Sequence, residues 1–544
     1  VLKKNPQQLL EDGFKERVVK LLEGGEEEAL FSKTLATIRR DAPCPYNDPR
    51  EEWLASLDVE TYQKMCDKYE FRSLRNRLQH MKENGHTIEE DVVEEEIEID
   101  LVALEELRVM VHLLHSEMTN APLTDIQNVT GKKTAYEMRV ELEAELKKAK
   151  LWHLFETVEQ PLMSVIKNME DNGITVNVKK LGKMSEELHA KVSILEKKIH
   201  TLADVEFNIA SPKQLGEVIY DKLNLGSKIR KTKTGQKSTN VTELEKIKDE
   251  HEIVPLILEY RELTKLLSTY IDLLPTYVKD DGRIHAHFVQ TGAGTGRFAC
   301  VDPNLQNLPI KSELGRKVRE AFVAGKGNVL LSCDYGQIDI RAAAILSGDK
   351  HLVEIFENKV DVHAGTAARV FGVSEDEVTP DMRRKAKAIN FGILYGMGVT
   401  ALKEGMGVDR KEAQEFYDQY KVTFVRLMEY LEEVKAYAWK HGYTETLLGR
   451  RREVPLLKSP LPFLRAQGER IALNAPIQGT AADILKLAML DVHEYISKEK
   501  LEGKVKLALQ IHDELVFEIQ EDIAEDVADE IVKTLETVLA RRDL

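Results

Sequence analysis

An α/β fold divided among several domains is predicted by three features of this 544-residue chain. Helical periodicity dominates most of its length. One apolar run, Asn328-Val329-Leu330-Leu331-Ser332-Cys333, has the length of a buried strand and ends on Asp334. Two alternating runs within about 504–519 flank a polar tip and read as a hairpin. The length exceeds one ordinary core and suggests roughly three or four domains.

In chain order, residues 1–50 read as helical and charged, closing on the turn Ala42-Pro43-Cys44-Pro45. Residues 51–80 carry a helical pattern, and the acidic stretch 89–100 reads as a solvated linker or surface face. Helical periodicity returns over 101–150. A long amphipathic helix is expected over 178–205 and a helical pair over 241–275. Between them lies a basic, glycine-containing loop, 226–240, with Lys228, Arg230, Lys231, Lys233 and Lys237. That loop suits phosphate contact, but taken alone its residues favour an ordinary solvated loop. Strands begin near 283, helices fill 342–440, and the hairpin follows.

Bulk properties narrow the function classes. A hydrophobic fraction of 42% with no apolar run of about 18 residues predicts a soluble chain without a membrane partner. The start, Val1-Leu2-Lys3-Lys4, reads as a trimmed end and not as a signal peptide. Cys44, Cys66, Cys300 and Cys333 are scattered, which fits a reducing cytoplasm and argues against disulfides or a zinc site. The net charge of −16 runs against nucleic-acid binding, but about ten of those excess charges fall in residues 1–150. Phosphate binding needs only a local basic patch.

Chemistry concentrates in three segments. Asp334 ends the apolar strand. In the hairpin, Leu507, Leu509 and Ile511 alternate, as do Leu515, Phe517 and Ile519, so His512, Asp513 and Glu514 fall at the tip. Carboxylates at the end of an apolar sheet are costly unless they bind something. Two metal ions about 4 Å apart, held by Asp334 and Asp513, can activate a 3′-hydroxyl and stabilise a leaving pyrophosphate. Mg²⁺ suits such oxygen ligands. A simple polar turn is the alternative. In the second segment Arg383, Lys387, Phe391 and Tyr395 recur every four residues and share one slowly turning helix face. Two cations followed by two rings match a nucleoside triphosphate. An amphipathic helix with aromatic core residues is the alternative. In the third, Arg470, Asn474 and Gln478 also step by four and could offer donors to minor-groove acceptors. Helix capping and plain surface polarity compete with that reading.

Taken together, these segments resemble the family A DNA polymerases, the bacterial DNA polymerase I group. Asp334-Tyr335-Gly336-Gln337-Ile338-Asp339-Ile340-Arg341 is similar to the family's motif A, 383–396 to motif B, and His512-Asp513-Glu514 to motif C. Thr295-Gly296-Arg297, Pro303-Asn304-Leu305-Gln306-Asn307-Leu308-Pro309, Asp361-Val362-His363 and Gly449-Arg450-Arg451-Arg452 agree in order and spacing. The likeness runs over about 150–544.

The resemblance implies a right-hand α/β architecture with a reduced, exonuclease-like N-terminal domain. Its divisions are a 5′-nuclease tail at 1–50, an exonuclease-like region at 51–150, palm at 151–176, 283–345 and 446–544, thumb at 177–282, and fingers at 346–445. It implies that Asp334 and Asp513, with the Tyr335 carbonyl and Glu514 nearby, hold two Mg²⁺ ions, with Mn²⁺ as a substitute. Gln337, Asp339, His363, Arg383, Lys387, Phe391 and Tyr395 would meet the dNTP, Lys387 also donating a proton to pyrophosphate. Arg297, Gln306, Arg470, Asn474, Gln478, His512, Lys231 and Lys233 would meet primer–template DNA. A monomer in the bacterial cytoplasm, at the nucleoid, is expected.

The sequence departs from the family at three places. Asp339 stands where Glu is usual, Gly336 where Ser is usual, and Phe298-Ala299-Cys300 where Leu-Ser-Ser is usual. The shorter Asp339 predicts weaker ribonucleotide exclusion, and the lost serines predict lost primer-strand hydrogen bonds. Asp58-Val59-Glu60 follows Ser56 at an apparent helix start, which favours capping over exonuclease chemistry, so no proofreading is expected. Two rival functions remain: a single-subunit RNA polymerase and a non-catalytic primer–template clamp.

Overall fold

The computed structural model describes residues 99–226, 237–309 and 312–542, together with Thr61 and Met65. The expectations for residues 1–50, for most of 51–98, and for Lys228, Arg230, Lys231 and Lys233 fall outside the described residues. Residues 97–544 form one unit, taken here by itself.

Its first layer is helical: α1 (Leu101–Leu114), α2 (Leu123–Thr130) and α3 (Ala135–Lys148). A capping box, with Thr134 accepting from the Glu137 N–H and Glu137 reaching back to Thr134, starts α3. Met110 and Val111 of α1 bury against Met138, Leu142 and Leu146 of α3. A π-turn, Phe155–Glu159, leads into α4 (Gln160–Asn172) and then β1 (Ile174–Val176). The expected long helix is α5 (Val178–Ala203), capped by Asn177 and about 39 Å long. It packs on α6 (Ile253–Leu266), and Ile199, Ile219, Leu244 and Ile257 close a small separate core.

Short strands follow. β2 (Arg283–Ile284) and β5 (Phe322–Val323) flank β1, while β3 (His287–Val289) pairs with β4 (Ala299–Val301). The sheet that carries the carboxylates has the order β6-β10-β9, all antiparallel, with β6 spanning Asn328–Asp334, β9 Val505–Ile511 and β10 Glu514–Gln520. The expected hairpin is present. The expected buried strand is corrected: β6 is an edge strand, half-buried along its apolar residues and exposed at Ser332 and Asp334. An edge strand has a neighbour on one side only, so its apolar run is covered on one side alone.

Helices then dominate, as predicted: α7 (Ile338–Ser347), α8 (Lys350–Glu357), α9 (Val362–Phe371), α10 (Pro380–Leu394), α11 (Val399–Met406), α12 (Arg410–Thr423) and α13 (Val425–His441). Ile340, Leu352, Ile389, Ile393, Tyr420, Phe424 and Leu427 form their core. The hairpin β7 (Tyr443–Glu445) and β8 (Arg451–Glu453) precedes α14 (Pro462–Lys498), a helix of about 56 Å, and α15 (Ala524–Glu536) follows the carboxylate sheet. No helix among the described residues is long and apolar enough to cross a membrane.

Candidate active site

The antiparallel register of β6 and β10 sets Asp334 opposite Glu514, and the Tyr335 N–H donates to the Asp513 carbonyl at 3.1 Å. Only His512 and Asp513 link β9 to β10. His512 has φ +56°, a left-handed conformation that a non-glycine residue adopts at a cost of about 1–3 kcal/mol. The side chain of Gln510 donates to the His512 carbonyl, and Gln306 donates to Gln510 Oε1 at 2.8 Å. Gln306, expected at DNA, is buried here and braces the turn. Tyr335 donates its hydroxyl to the Leu535 carbonyl at 2.8 Å, which anchors the residue following Asp334.

Although Asp334 ends the exposed side of β6, partial desolvation raises its carboxyl above the usual range, and the charges of Asp513 and Glu514 raise it further. Burial likewise raises Asp513, with its own N–H and Arg297 opposing and Asp339 adding. Among the described residues neither carboxylate is held in an ion pair; Arg297, whose charge reaches Asp513, is bonded to Asp339 instead. Glu514 is turned to the Ser332 hydroxyl, which donates to it. No cluster of three or more His, Cys, Asp or Glu side chains is assembled for a metal among the described residues. Asp334 and Asp513 are, among the described residues, carboxylates without an ion pair at one sheet end, oxygen donors of the kind a hard divalent cation takes together with water or phosphate.

Helix α10 starts at Thr379, whose hydroxyl accepts from the Met382 N–H, with Pro380 at the first position. Arg383, Lys387 and Phe391 lie on its unburied face, and Tyr395 follows in line at its C-terminal cap. Arg383 makes a two-point pair with Asp361, Nε to Oδ1 at 3.0 Å and Nη2 to Oδ2 at 2.9 Å. Lys387 is exposed and has no ion-pair partner among the described residues. Phe391 and Tyr395 stack at 6.1 Å, and the His363 ring meets Phe391 at 5.6 Å. His363 is buried, and burial lowers its imidazole to about 4, with nearby Arg383 and Lys387 lowering it further against the pull of Asp361.

Asp339 joins the two halves. One oxygen accepts from Arg297 at 2.8 Å and the other from the Tyr395 hydroxyl at 2.8 Å. Burial raises the Tyr395 phenol to about 12, with Asp339 adding and a Gln478 hydrogen bond opposing. Gln337 sits at φ +59° just before α7, two residues ahead of Asp339. On α14, Arg470 is exposed while Asn474 and Gln478 are half-buried, a polar stripe on a helix otherwise buried through 472–489. Asn474 Oδ1 is buried without a hydrogen-bond partner among the described residues.

Two sequence departures acquire a structural setting. A Cβ at Gly336 would meet nothing within 4 Å, so space does not exclude a serine there. Cys300 is fully buried and its thiol donates to the Pro303 carbonyl at 3.4 Å. That position faces the β3–β4 core, so the expected loss of a primer-strand bond at Cys300 is corrected to a change in packing.

Sequence reasoning gave no role to Asp361. It caps α9 by accepting from the Ala364 N–H at 2.8 Å and also holds Arg383. An Asp two residues before a helical His was the available signal. Burial opposes ionisation of Asp361, yet the Arg383 and Ala364 bonds hold its carboxyl below the usual range. Asp361→Ala is expected to cost about 1 kcal/mol in urea unfolding through the lost cap, and Asp361→Asn to restore most of it. Equal stability of all three proteins would contradict the capping role.

A sequence model described as DNA polymerase family A matches residues 178–542. DNA polymerase I of Bacillus subtilis is 44% identical over 405 residues, 74% of this chain and 46% of that protein. The thermostable DNA polymerase I of Thermus aquaticus is 42% identical over 373 residues, 68% of this chain and 44% of that protein. The chain thus spans about half the length of the curated relatives it matches. Among solved structures, the POL domain of Pol1 from M. smegmatis, in complex with DNA primer-template and dNTP, superposes with a TM-score of 0.75 at 34% identity, covering 80% of this chain and 78% of that one. A family match over more than half its length, joined to the strand-end carboxylates and the cation–aromatic helix, means that the chain belongs to DNA polymerase family A.

Proposed function

We propose that this chain is a template-directed DNA polymerase that transfers dNMP from a dNTP to a primer 3′-hydroxyl and releases pyrophosphate, acting in DNA replication and repair. The observation that carries the proposal is the pairing of Asp334 and Asp513 at one sheet end, linked through Asp339 to the cation–aromatic face of α10. Two Mg²⁺ ions, with Mn²⁺ as a substitute, supply activation of the hydroxyl and neutralisation of the leaving group when bound. Asp334 and Asp513 would hold them, with the Tyr335 carbonyl assisting and Glu514 adjacent.

Arg383 offers a planar fork to phosphate oxygens once it exchanges Asp361 for them. Lys387, one turn on, contributes charge and a proton for pyrophosphate. His363, neutral near pH 7, contributes a hydrogen bond and not a charge. Phe391 packs on the nucleotide and Tyr395 closes the insertion site against the template, with Gln337 lining it. Arg297, Arg470, Asn474, Gln478 and His512 meet the primer–template, reading minor-groove acceptors that every base pair presents.

Residues 151–176, 283–345 and 446–544 form the palm in this reading, 177–282 the thumb and 346–445 the fingers. The separate cores around Ile257 and around Phe424 support that division. Residues 1–50 are the tail of a 5′-nuclease domain and 51–150 a reduced, inactive exonuclease-like region. Helices alone make up the regular structure described over 101–148. The chain acts as a monomer in the bacterial cytoplasm at the nucleoid.

Extension of a 5′-labelled primer on a DNA template with Mg²⁺, with and without dNTPs, tests this. Extension without shortening is expected. Shortening in the absence of dNTPs would place a working exonuclease in the chain, and no extension at all would point to a primer–template clamp.

The geometry of Asp339 sharpens one expectation. Its carboxylate is held by Arg297 and Tyr395, and a side chain one methylene shorter than Glu leaves more room at the 2′ carbon of a nucleotide sugar. Asp339→Glu is expected to raise dNTP-over-NTP selectivity about tenfold, the effect of about 1.4 kcal/mol. Equal kcat/KM ratios in the two proteins would defeat this.

A further inference from the structure

Beneath the Arg297 loop lies a cluster of four buried charges that the proposed chemistry does not use. Glu159, Arg450, Asp483 and Lys486 are each at most 4% exposed. Arg450 pairs with Glu159 and, at 2.7 Å, with Asp483; Lys486 Nζ reaches Glu159 at 2.8 Å. The remaining oxygens are also filled. Gln290 donates to Glu159, and the Thr446 hydroxyl donates to Asp483 at 2.6 Å. Two acids balance two bases, and none faces solvent.

Such a cluster is a poor source of stability. Desolvation offsets most of its attraction, and packed apolar residues would hold the fold at least as well. What it does achieve is connection. Glu159 comes from the π-turn before α4, Arg450 from the β7–β8 hairpin, and Asp483 and Lys486 from α14. Arg450 and Lys486 meet the loop 292–298, where glycines alternate, and Glu159 is held by Gln290 just before it. A Cβ at Gly296, φ +82°, would lie 2.7 Å from Arg450 Nε, and one at Gly294 would collide with Arg452. The Ala293 carbonyl meets the His112 ring at 3.2 Å. Lys486 Nζ sits 5.3 Å from the centre of the Phe298 ring, next in sequence to Arg297. From the other side, Asp483 lies five residues beyond Gln478 on the same helix, and a Cβ at the intervening Gly479 would lie 3.2 Å from the Thr295 carbonyl.

We propose that the Glu159–Arg450–Asp483–Lys486 cluster is a positioning device that sets Arg297 and Gln478 in register with each other, so that both reach the minor-groove acceptors of the primer-terminal base pair together. This rests on the reading of those two residues as minor-groove contacts. The four charged residues are positioning residues; none touches the reacting atoms.

The test uses primers ending in adenine or in 3-deazaadenine, which lacks the minor-groove nitrogen acceptor. The parent protein is expected to extend the deaza primer about tenfold more slowly, the discrimination carried by a good groove contact. The variant pair Glu159→Gln with Lys486→Met removes one charge of each sign and keeps the cluster balanced. In it, extension of the ordinary primer is expected to slow, while the deaza penalty shrinks to about twofold because the contact is already misplaced. Phe298→Ala, which removes the ring beside Lys486 without touching any charge, takes the same assay and should give a smaller change in the same direction. Melting curves establish that each variant is folded, and Phe298→Ala decides if the double variant is not. An undiminished penalty in a folded variant would overturn the positioning role alone. A parent protein indifferent to the deaza primer would overturn the minor-groove reading, and one that extends neither primer would overturn the polymerase reading.

Discussion

Asp513→Ala is expected to reduce the single-turnover rate of nucleotide addition by about 10³-fold or more while leaving the protein at least as stable at neutral pH. The two halves have one cause. Asp513 stands at a two-residue turn beside Asp334, and burial raises both carboxyls. A carboxyl whose folded pKa is raised disfavours the fold once the pH climbs through its unfolded value, about 3.9. At pH 7 its removal therefore relieves repulsion. The same charge is what a divalent cation needs, so catalysis loses what folding does not miss. A rate within tenfold of the parent, measured by rapid quench at saturating dNTP, would remove Asp513 from the metal site. A large fall in melting temperature would instead give it a structural role.

Lys387→Ala is expected to lower the same rate by about 10²-fold or more, the range of a positioned proton donor. Lys387 follows Arg383 by one turn, a rise of about 6 Å along α10, so the two cations can address successive phosphates. Their situations differ. Arg383 is engaged by Asp361, whereas Lys387 is exposed without an ion pair among the described residues. Arg383→Ala should therefore act mainly on KM for dNTP, and Lys387→Ala on the chemical step. Lys387→Arg separates charge from proton donation: it keeps the charge but holds its proton too tightly to give it up. Full activity in Lys387→Arg would reduce Lys387 to an electrostatic contact, and full activity in Lys387→Ala would dismiss it altogether.

The parts of the site that could be read in advance are those whose geometry repeats over a few residues. Alternation at Leu507, Leu509 and Ile511 and again at Leu515, Phe517 and Ile519 located the hairpin and its acidic tip, and β9 and β10 lie there. A step of four found the shared face of Arg383, Lys387, Phe391 and Tyr395, and the polar stripe of Arg470, Asn474 and Gln478. Strand 328–334 was found by its apolar run, but its half-exposed setting was not, because burial depends on which strands flank it.

Local periodicity thus determined the helices, the strand-end carboxylates and the cation–aromatic face, since 3.6-residue and 2-residue repeats are properties of a short window. Tertiary structure alone decided the partners. Asp339 meets Arg297 across 42 residues and Tyr395 across 56, and Glu159 meets Arg450 across 291 and Lys486 across 327. Charged residues are almost never fully buried unless paired, so nothing in the neighbourhood of Glu159 or Lys486 marks either as interior. The same holds for Gln306, whose amide was as able to face DNA as to brace Gln510 until the fold brought the two within 2.8 Å. A side chain's own chemistry states what it can bond to, and only the folded chain supplies the group that is within reach.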